Sequence, residues 1–200
     1  MRPSLAGFTL IELMVTLAVA AILMSVAAPA LQDVIAAQGV RSAASEMLTD
    51  LSYARNDAIG NQRSVAVTRL VQGSDLWNQG WRVVACVRSA ACAACTDPSD
   101  PSVAAACLEE PIRRQPLGGR IKLCTRMNAT SVDTPTLIFG PDGRVMDTAL
   151  GAALHINTIM ISDDMGDADA GNDRMRSLEF GPTGRVSLHV VNPGSAAPCS

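Results

Sequence analysis

The chain has 200 residues, of which 48% are hydrophobic, and it carries a formal net charge of −3. This apolar fraction is enough for one core and argues against wholesale disorder. The charge excludes a globally basic protein that coats nucleic acid by charge alone. Aromatic residues make up 3% and there are two histidines, which argues against a stacking platform and a His-rich metalloenzyme.

The apolar excess lies at the N-terminus, where the segment from Phe8 to Ala28 carries one charge, Glu12. A helix of this length, at about 1.5 Å per residue, spans the ~30 Å hydrocarbon core of a membrane. Arg2 precedes it, which predicts a cytoplasmic N-terminus and an exported remainder. A plain anchor or a secretory signal cut near Ala28-Pro29-Ala30 would explain the length. Neither explains Glu12, since a carboxylate costs on the order of a few kcal/mol in lipid.

The run Gly7-Phe8-Thr9-Leu10-Ile11-Glu12 follows a leader of residues 1–7. It resembles the class III signal of type IV pilins and pseudopilins. The resemblance implies that a prepilin peptidase cuts between Gly7 and Phe8 and that Phe8 is then N-methylated. It also implies that Glu12 sets the assembly register, because the free amine of an adjoining subunit can neutralise a buried carboxylate.

The helical pattern continues beyond Pro29, which is expected to kink the helix. One face carries apolar residues at helical spacing: Leu31, Val34, Ile35, Ala44, Met47, Leu48, Leu51 and Ala58. The opposite face carries Gln38, Arg41, Ser45, Glu46 and Asp50. Gly60-Asn61 supplies a stop. The prediction is one helix from Phe8 to Ile59, with a membrane and filament-core part (8–29) and an amphipathic part (30–60) that covers a sheet.

After Gly60 the pattern changes to alternation with frequent Gly, Pro, Asp and Asn, which is typical of β-strands. Strands are predicted at Ser64–Val71, Gly80–Val87, Gly119–Cys124, Thr136–Phe139, Arg144–Met146, Ala153–Ser162, Ser177–Phe180 and Arg185–Val191. The predicted fold class is therefore α+β, a long helix packed on an antiparallel β-rich head (61–200).

Two similar turns interrupt these strands, Phe139-Gly140-Pro141-Asp142-Gly143-Arg144-Val145 and Phe180-Gly181-Pro182-Thr183-Gly184-Arg185-Val186. Pro at the second turn position and Gly at the fourth predict two hairpins of convergent turn chemistry. With Gly80-Trp81 opening a strand, these turns make the head resemble the minor pseudopilins of the GspH/FimT family. A segment around 88–110, rich in Ala, Cys, Asp and Pro, fits no strand of that family and is predicted to be an insertion loop.

Six cysteines lie in the exported part: Cys86, Cys92, Cys95, Cys107, Cys124 and Cys199. An oxidising compartment favours structural disulfides, and six cysteines allow fifteen connectivities. Two local bridges within 86–107 and a bridge from Cys124 to Cys199 are the expected arrangement. The spacing of Cys92 and Cys95 also fits a redox pair or half of a zinc site, but the thioredoxin-like context and the second zinc motif are missing.

Charged clusters offer two further candidate sites. The basic residues Arg113, Arg114, Arg120, Lys122, Arg126 and Arg185 are candidate DNA contacts, with Arg174 and Arg176 nearby in sequence. In the family that the head resembles, some pilus members bind DNA during uptake, and a Gly-Arg-x-Arg motif near the C-terminus is associated with that binding. In this chain Ser187 stands in the place of the second arginine. The acidic run Asp163, Asp164, Asp167, Asp169 and Asp173 is predicted to be a solvated loop rather than a calcium site, since it lacks the EF-hand ligand order.

No catalytic constellation, metal site or cofactor is expected, and His155 and His189 are predicted to lie on polar strand faces. The sequence predicts a minor pilin or pseudopilin that primes or caps a type IV pilus or type II secretion pseudopilus. Its expected partners are other pilins, the prepilin peptidase and the inner-membrane assembly platform, with the head in the periplasm. The alternative is a DNA-binding minor pilin for natural transformation.

Overall fold

A computed structural model describes residues 8–71, 77–86, 92, 107–118, 120–127, 130–147, 157–163, 174–191 and 199. The chain forms two compact units, Met1–Ala36 and Ala37–Ser200. Helix α1 runs from Leu10 to Gly60 and contributes to both units. The predicted helix is therefore confirmed, with its ends at Leu10 and Gly60. The kink at Pro29 stays a prediction.

Residues Leu10–Ala28 of α1 are long and apolar enough to cross a membrane, by length and composition. Within the head, the buried stripe of α1 consists of Val40, Ala43, Ala44, Met47, Leu51, Ala54 and Ala58. The prediction that the buried face of the helix begins at Leu31 was wrong, because the first buried residue among those described is Val40. Leu31, Val34 and Ile35 have exposed fractions of 60%, 55% and 63%, because they precede the first helix residue that enters the core.

Ten strands follow the helix in the described part of the chain. They are β1 (Val65–Arg69), β2 (Trp81–Cys86), β3 (Cys107–Arg113), β4 (Ile121–Met127), β5 (Thr130–Ser131), β6 (Thr136–Phe139), β7 (Val145–Asp147), β8 (Thr158–Asp163), β9 (Met175–Phe180) and β10 (Val186–Val190). A short 3-10 turn, Trp77–Gln79, precedes β2. The first sheet has the order β3-β2-β1-β6-β7 and the second β10-β9-β8-β4-β5, and neighbouring strands are antiparallel.

Every predicted strand has a counterpart, and the two hairpins are confirmed as β6–β7 and β9–β10. Strands β3 and β5 were missed. The predicted insertion loop was wrong at its C-terminal end, since residues 107–110 belong to β3. This strand shows no hydrophobic alternation because it contains Glu109-Glu110-Pro111. Such residues are tolerated there since β3 is an edge strand, partly exposed to water.

One core lies between the helix stripe and the inner faces of both sheets, with Val67 and Phe139 from the first sheet and Leu123 and Ile161 from the second. A smaller apolar cluster lies apart from it on each sheet. Each small cluster contains a disulfide, Cys86–Cys92 in one and Cys124–Cys199 in the other.

The Cys124–Cys199 disulfide was predicted, and the Cys86–Cys92 disulfide is one of the two local bridges predicted within 86–107. Cys107 is also disulfide-bonded, and Cys95 lies outside the described residues. Because Cys86 is opposite Cys107 in the β2–β3 register but bonds Cys92, the bridge joins the segment after β2 back to its own strand. These two bridges thus fasten chain segments that follow strands, rather than joining the two sheets to each other.

Candidate functional site: the N-terminal helix and its attachment to the head

The helix begins at a capping arrangement that directly follows the predicted processing position. The Thr9 hydroxyl accepts a hydrogen bond from the backbone N–H of Glu12 at 3.2 Å, and the Thr9 carbonyl accepts one from Leu13 at 3.2 Å. Thr followed three residues later by Glu has the spacing of a capping box. The role of Thr9 was missed in the sequence, although this spacing signals it. Phe8 precedes the cap and is 82% exposed, and Gly7 lies outside the described residues.

Glu12 lies in the first turn of α1, where a carboxylate interacts favourably with the positive end of the helix dipole. Its side chain is exposed, as are its neighbours. All the large apolar side chains between Phe8 and Ile35 have exposed fractions between 51% and 82%. An apolar helix surface of this length needs lipid or other helices around it. This segment can therefore carry both a membrane anchor and a helix-packing interface.

A buried carboxylate attaches the helix to the head. Asp50 is fully buried, and its Oδ2 accepts hydrogen bonds from Trp81 Nε1 at 2.9 Å and Arg114 Nε at 2.8 Å. Its Oδ1 accepts a third, from Arg114 at 2.8 Å. The expectation that Asp50 lies on the solvent-facing side of the helix was wrong. Its partners come from β2 and the end of β3, which are distant in sequence.

Gly80 allows Arg114 to reach this position. It has φ +95°, and a Cβ there would lie 2.5 Å from the Arg114 carbonyl oxygen. The neighbouring Trp81 carbonyl accepts a hydrogen bond from the Arg114 backbone N–H at 2.7 Å. Hydrogen bonds to Asp50 raise the pKa of the Arg114 guanidinium above its usual value. The Gly80-Trp81 pair therefore positions both donors that hold the helix carboxylate.

The end of α1 is held by the two similar turns, which contact each other. In each turn the last glycine donates to the first, Gly143 to Gly140 at 2.8 Å and Gly184 to Gly181 at 2.9 Å. A Cβ on Gly184 would lie 1.9 Å from the Gly143 carbonyl oxygen. On the helix side, Arg55 donates to the Thr183 carbonyl at 3.3 Å. The repeated turn sequence therefore joins a hairpin of each sheet at the end of the helix.

Gly184→Ala is expected to lower the free energy of unfolding by roughly 2–3 kcal/mol, because the methyl group collides with backbone and φ is +74°. Urea unfolding of the full chain in mild detergent, followed by fluorescence of the buried Trp77 and Trp81, measures the loss. Gly181→Ala is the matched control, since its Cβ would lie 3.5 Å from the nearest atom. Equal effects of the two substitutions would contradict the turn contact.

The candidate DNA contacts lie on different parts of the head. Arg113 and Arg114 are at the end of β3 in the first sheet, whereas Arg120, Lys122 and Arg126 are on or beside β4 in the second. Arg185 follows the second turn and is exposed. Arg126 is buried, with 5% of its surface exposed.

Several of these arginines have acidic partners. Arg113 lies 3.7 Å from Glu110, Arg114 binds Asp50, and Arg120 lies 3.6 Å from Asp163. The prediction that Asp163 lies in a solvated loop was wrong. It ends β8, is buried, and also lies 3.8 Å from Arg174. The rest of the acidic run lies outside the described residues.

His189 is exposed on β10, as predicted, and His155 lies outside the described residues. The His189 Nε2 lies 3.0 Å from Ser187 Oγ and 3.8 Å from Glu179 Oε2. In a hydrolytic triad the acid holds the other ring nitrogen, so that Nε2 can accept the serine proton. Since both oxygens lie near the same nitrogen, this group does not have triad geometry. Among the described residues, no group of three or more His, Cys, Asp or Glu could hold a metal ion.

Two separate family models match this chain, one at the N-terminal segment and one over most of the head. Residues 4–28 match the prokaryotic N-terminal methylation motif, and residues 43–188 match the family model described as type II transport protein GspH. A search of curated protein sequences gave no significant match.

Among solved structures, the type IV minor pilin FimU of Pseudomonas aeruginosa PAO1 has a similar fold, with 15% identity and a TM-score of 0.50. The match covers 75% of this chain and 87% of that one. The minor pseudopilin EpsH from the type II secretion system of Vibrio cholerae matches with 12% identity and a TM-score of 0.48, over 78% and 96% of the two chains. Because the GspH model matches most of its length, this chain belongs to the GspH family of minor pilins and pseudopilins.

Proposed function

We propose that this protein is a minor subunit of a type IV pilus or type II secretion pseudopilus, and that it primes or caps the filament. The observation that supports this most strongly is the combination of an N-terminal methylation motif at residues 4–28 with a GspH-type head at 43–188 on one continuous helix. The exposed large apolar side chains between Phe8 and Ile35 supply the packing surface that a filament core needs.

In this proposal a prepilin peptidase cuts the precursor between Gly7 and Phe8 at the cytoplasmic face, and Phe8 is N-methylated. The capped start of the helix at Thr9 supports the cut position, because cleavage there removes residues 1–7 and leaves the helix intact. The new amine and the Glu12 carboxylate then carry opposite charges at the same end of the segment. In a low-dielectric bundle, pairing the amine of one subunit with Glu12 of the next fixes their axial register.

The head lies in the periplasm in this proposal, consistent with its disulfides, and the inner-membrane assembly platform takes up the processed subunit. The hydrogen bonds to Asp50 support a role in assembly, because they fasten the head part of α1 to β2 and to the end of β3. We do not extend the proposal to DNA, since Arg113, Arg114 and Arg120 already have acidic partners.

The test measures processing and filament entry in one strain series that expresses the full chain with the matching assembly system. Gly7→Val is expected to leave the precursor uncut in membranes, as read by intact-mass spectrometry, because a small residue is required before the cut. Ala6→Val is the matched control in the same leader and is expected to be processed. A trimmed N-terminus at Phe8 in Gly7→Val, or trimming near Leu31 in the native chain, would refute the processing step.

The second arm of this experiment is Glu12→Gln, which keeps the size of the side chain and removes its charge. It is expected to be processed normally and to fall at least ~10-fold in sheared filaments, since the charge pair is lost. Normal incorporation would show that Glu12 does not set the register, while the cleavage result stands independently.

A further inference from the structure

Local chemistry defines where helix α1 begins. Thr9 holds the N-cap position, and its hydroxyl accepts the backbone N–H of Glu12 at 3.2 Å. The Leu13 N–H donates to the Thr9 carbonyl at 3.2 Å, which closes the first turn. Phe8 and Leu13 also hold the two sequence positions of a hydrophobic staple, one before the cap and one four residues after it. The helix start is therefore specified by residues 8–13.

The Thr9 hydroxyl competes directly with a longer helix. In an α-helix each N–H bonds the carbonyl four residues earlier, so the helical partner of the Glu12 N–H would be the Phe8 carbonyl. The Thr9 hydroxyl takes this N–H instead, and the helix begins at Leu10. Phe8 and Thr9 lie outside it. The bond from Gly7 to Phe8 thus precedes the helix, separated from the cap by Phe8 alone.

Without this cap, the sequence offers other helix starts on the leader side. Ser4 is the next upstream residue of a type that caps well, and Gly7 is also tolerated at an N-cap. Leu5 and Ala6, between them, are among the best helix formers. A helix that began at Ser4 or Gly7 would draw the Gly7 carbonyl into a hydrogen bond with the Ile11 N–H. That carbonyl carbon is the atom that hydrolysis of the bond attacks.

We propose that Thr9 is a positioning residue for processing, because its cap keeps the Gly7–Phe8 peptide bond in non-helical backbone that the prepilin peptidase can bind. Hydrolysis adds water across this bond and leaves a carboxylate at Gly7 and an amine at Phe8. A bond outside the helix needs no local unwinding before it enters an active site. The inference rests on the proposed processing step and adds to it the residue that controls access to the bond.

Cleavage kinetics of the full precursor in mild detergent, with the prepilin peptidase of the same assembly system, test this role. Thr9→Val keeps the branched shape and removes the acceptor oxygen. It is expected to raise KM about 2–5-fold with little change in kcat, because loss of an N-cap shifts a helix equilibrium by up to about 5-fold and only chains with the bond outside the helix are bound.

Two further variants separate the cap from other effects of the substitution. Thr9→Asn has no hydroxyl but caps well, and it is expected to keep the native KM. Thr16→Val is the matched control, since the Thr16 hydroxyl donates to the Leu13 carbonyl at 2.9 Å within the helix and caps nothing. It is expected to be cleaved like the native chain.

A structural measurement on the same proteins follows the helix start itself. The chain has three phenylalanines, so carbon-13 labelling of phenylalanine gives few signals, and the signal lost in Phe8→Leu is that of Phe8. Its α-carbon chemical shift is expected to be non-helical in the native chain and in Thr9→Asn. In Thr9→Val it is expected to move towards the helical value.

Equal KM values for the native chain and Thr9→Val, or a Phe8 signal that does not move between them, would overturn the role of the cap. A fall in kcat that Thr9→Asn does not restore would assign the hydroxyl to direct recognition by the peptidase, and would overturn it as well. A native chain that is not cut between Gly7 and Phe8 would disprove the processing step itself, and this inference with it.

Discussion

Asp50→Ala is expected to lower the free energy of unfolding by about 3 kcal/mol, because it leaves the buried Trp81 Nε1 without its acceptor and removes both hydrogen bonds that the Arg114 guanidinium donates to Asp50. The lost contacts join helix α1 to β2 and to the end of β3. We therefore expect the substitution to loosen the helix from the head and not only to change a local side chain. Urea unfolding of the full chain in mild detergent, followed by tryptophan fluorescence, measures the loss.

Glu46→Ala is the matched control for this prediction. Glu46 lies one helical turn before Asp50 and contacts the same guanidinium at 3.0 Å, but its side chain is 34% exposed. A partly solvated ion pair contributes little, so its loss is expected to cost less than about 1 kcal/mol. If the two substitutions lower the free energy of unfolding equally, the burial of Asp50 does not strengthen its hydrogen bonds to Trp81 and Arg114.

Replacing Cys124 and Cys199 together with alanine is expected to cost about 4 kcal/mol. The bridge closes a loop of 75 residues, and the chain-entropy relation gives ~4.5 kcal/mol for a loop of that length. The bond also holds the end of the chain against Met160, Met175 and Val191 in a small buried cluster. The same urea unfolding measurement, with non-reducing mass analysis of the remaining bridges, gives the loss.

The double substitution of Cys86 and Cys92 is the matched control. This bridge closes only six residues, for which the same relation gives ~2 kcal/mol. Loss of the Cys124–Cys199 bridge should therefore lower the free energy of unfolding about twice as much as loss of the Cys86–Cys92 bridge. A larger loss for the local bridge would mean that packing of the segment after β2, rather than loop closure, is the main contribution.

The most accurate predictions from the sequence concerned elements whose signals are local. Helix α1 follows from apolar spacing and a glycine stop, and the β6–β7 and β9–β10 hairpins follow from Gly-Pro-x-Gly turns. Each of these depends on neighbouring residues in the chain. The turn sequences did not show that Gly143 and Gly184 contact each other, because that contact joins two sheets.

The errors share one physical origin, which is that burial depends on distant parts of the chain. Asp50 has the position of a solvent-facing residue in the helix pattern, and it is buried because Trp81 and Arg114 approach that face. Leu31 has the pattern of a core residue but lies before the helix reaches the head core. Asp163 looks like part of an acidic loop and instead ends a buried strand beside Arg120 and Arg174.

The α+β class, the helix with its apolar N-terminal segment, the two glycine turns and the family resemblance all follow from patterns in the sequence. These are local properties, since helical spacing, alternation and turn chemistry act over a few residues. Tertiary contacts decide which carboxylates are buried, which apolar residues stay exposed and which strands lie next to each other in the two sheets. Those properties depend on which strands become neighbours, and strand order is set by packing between residues far apart in the chain.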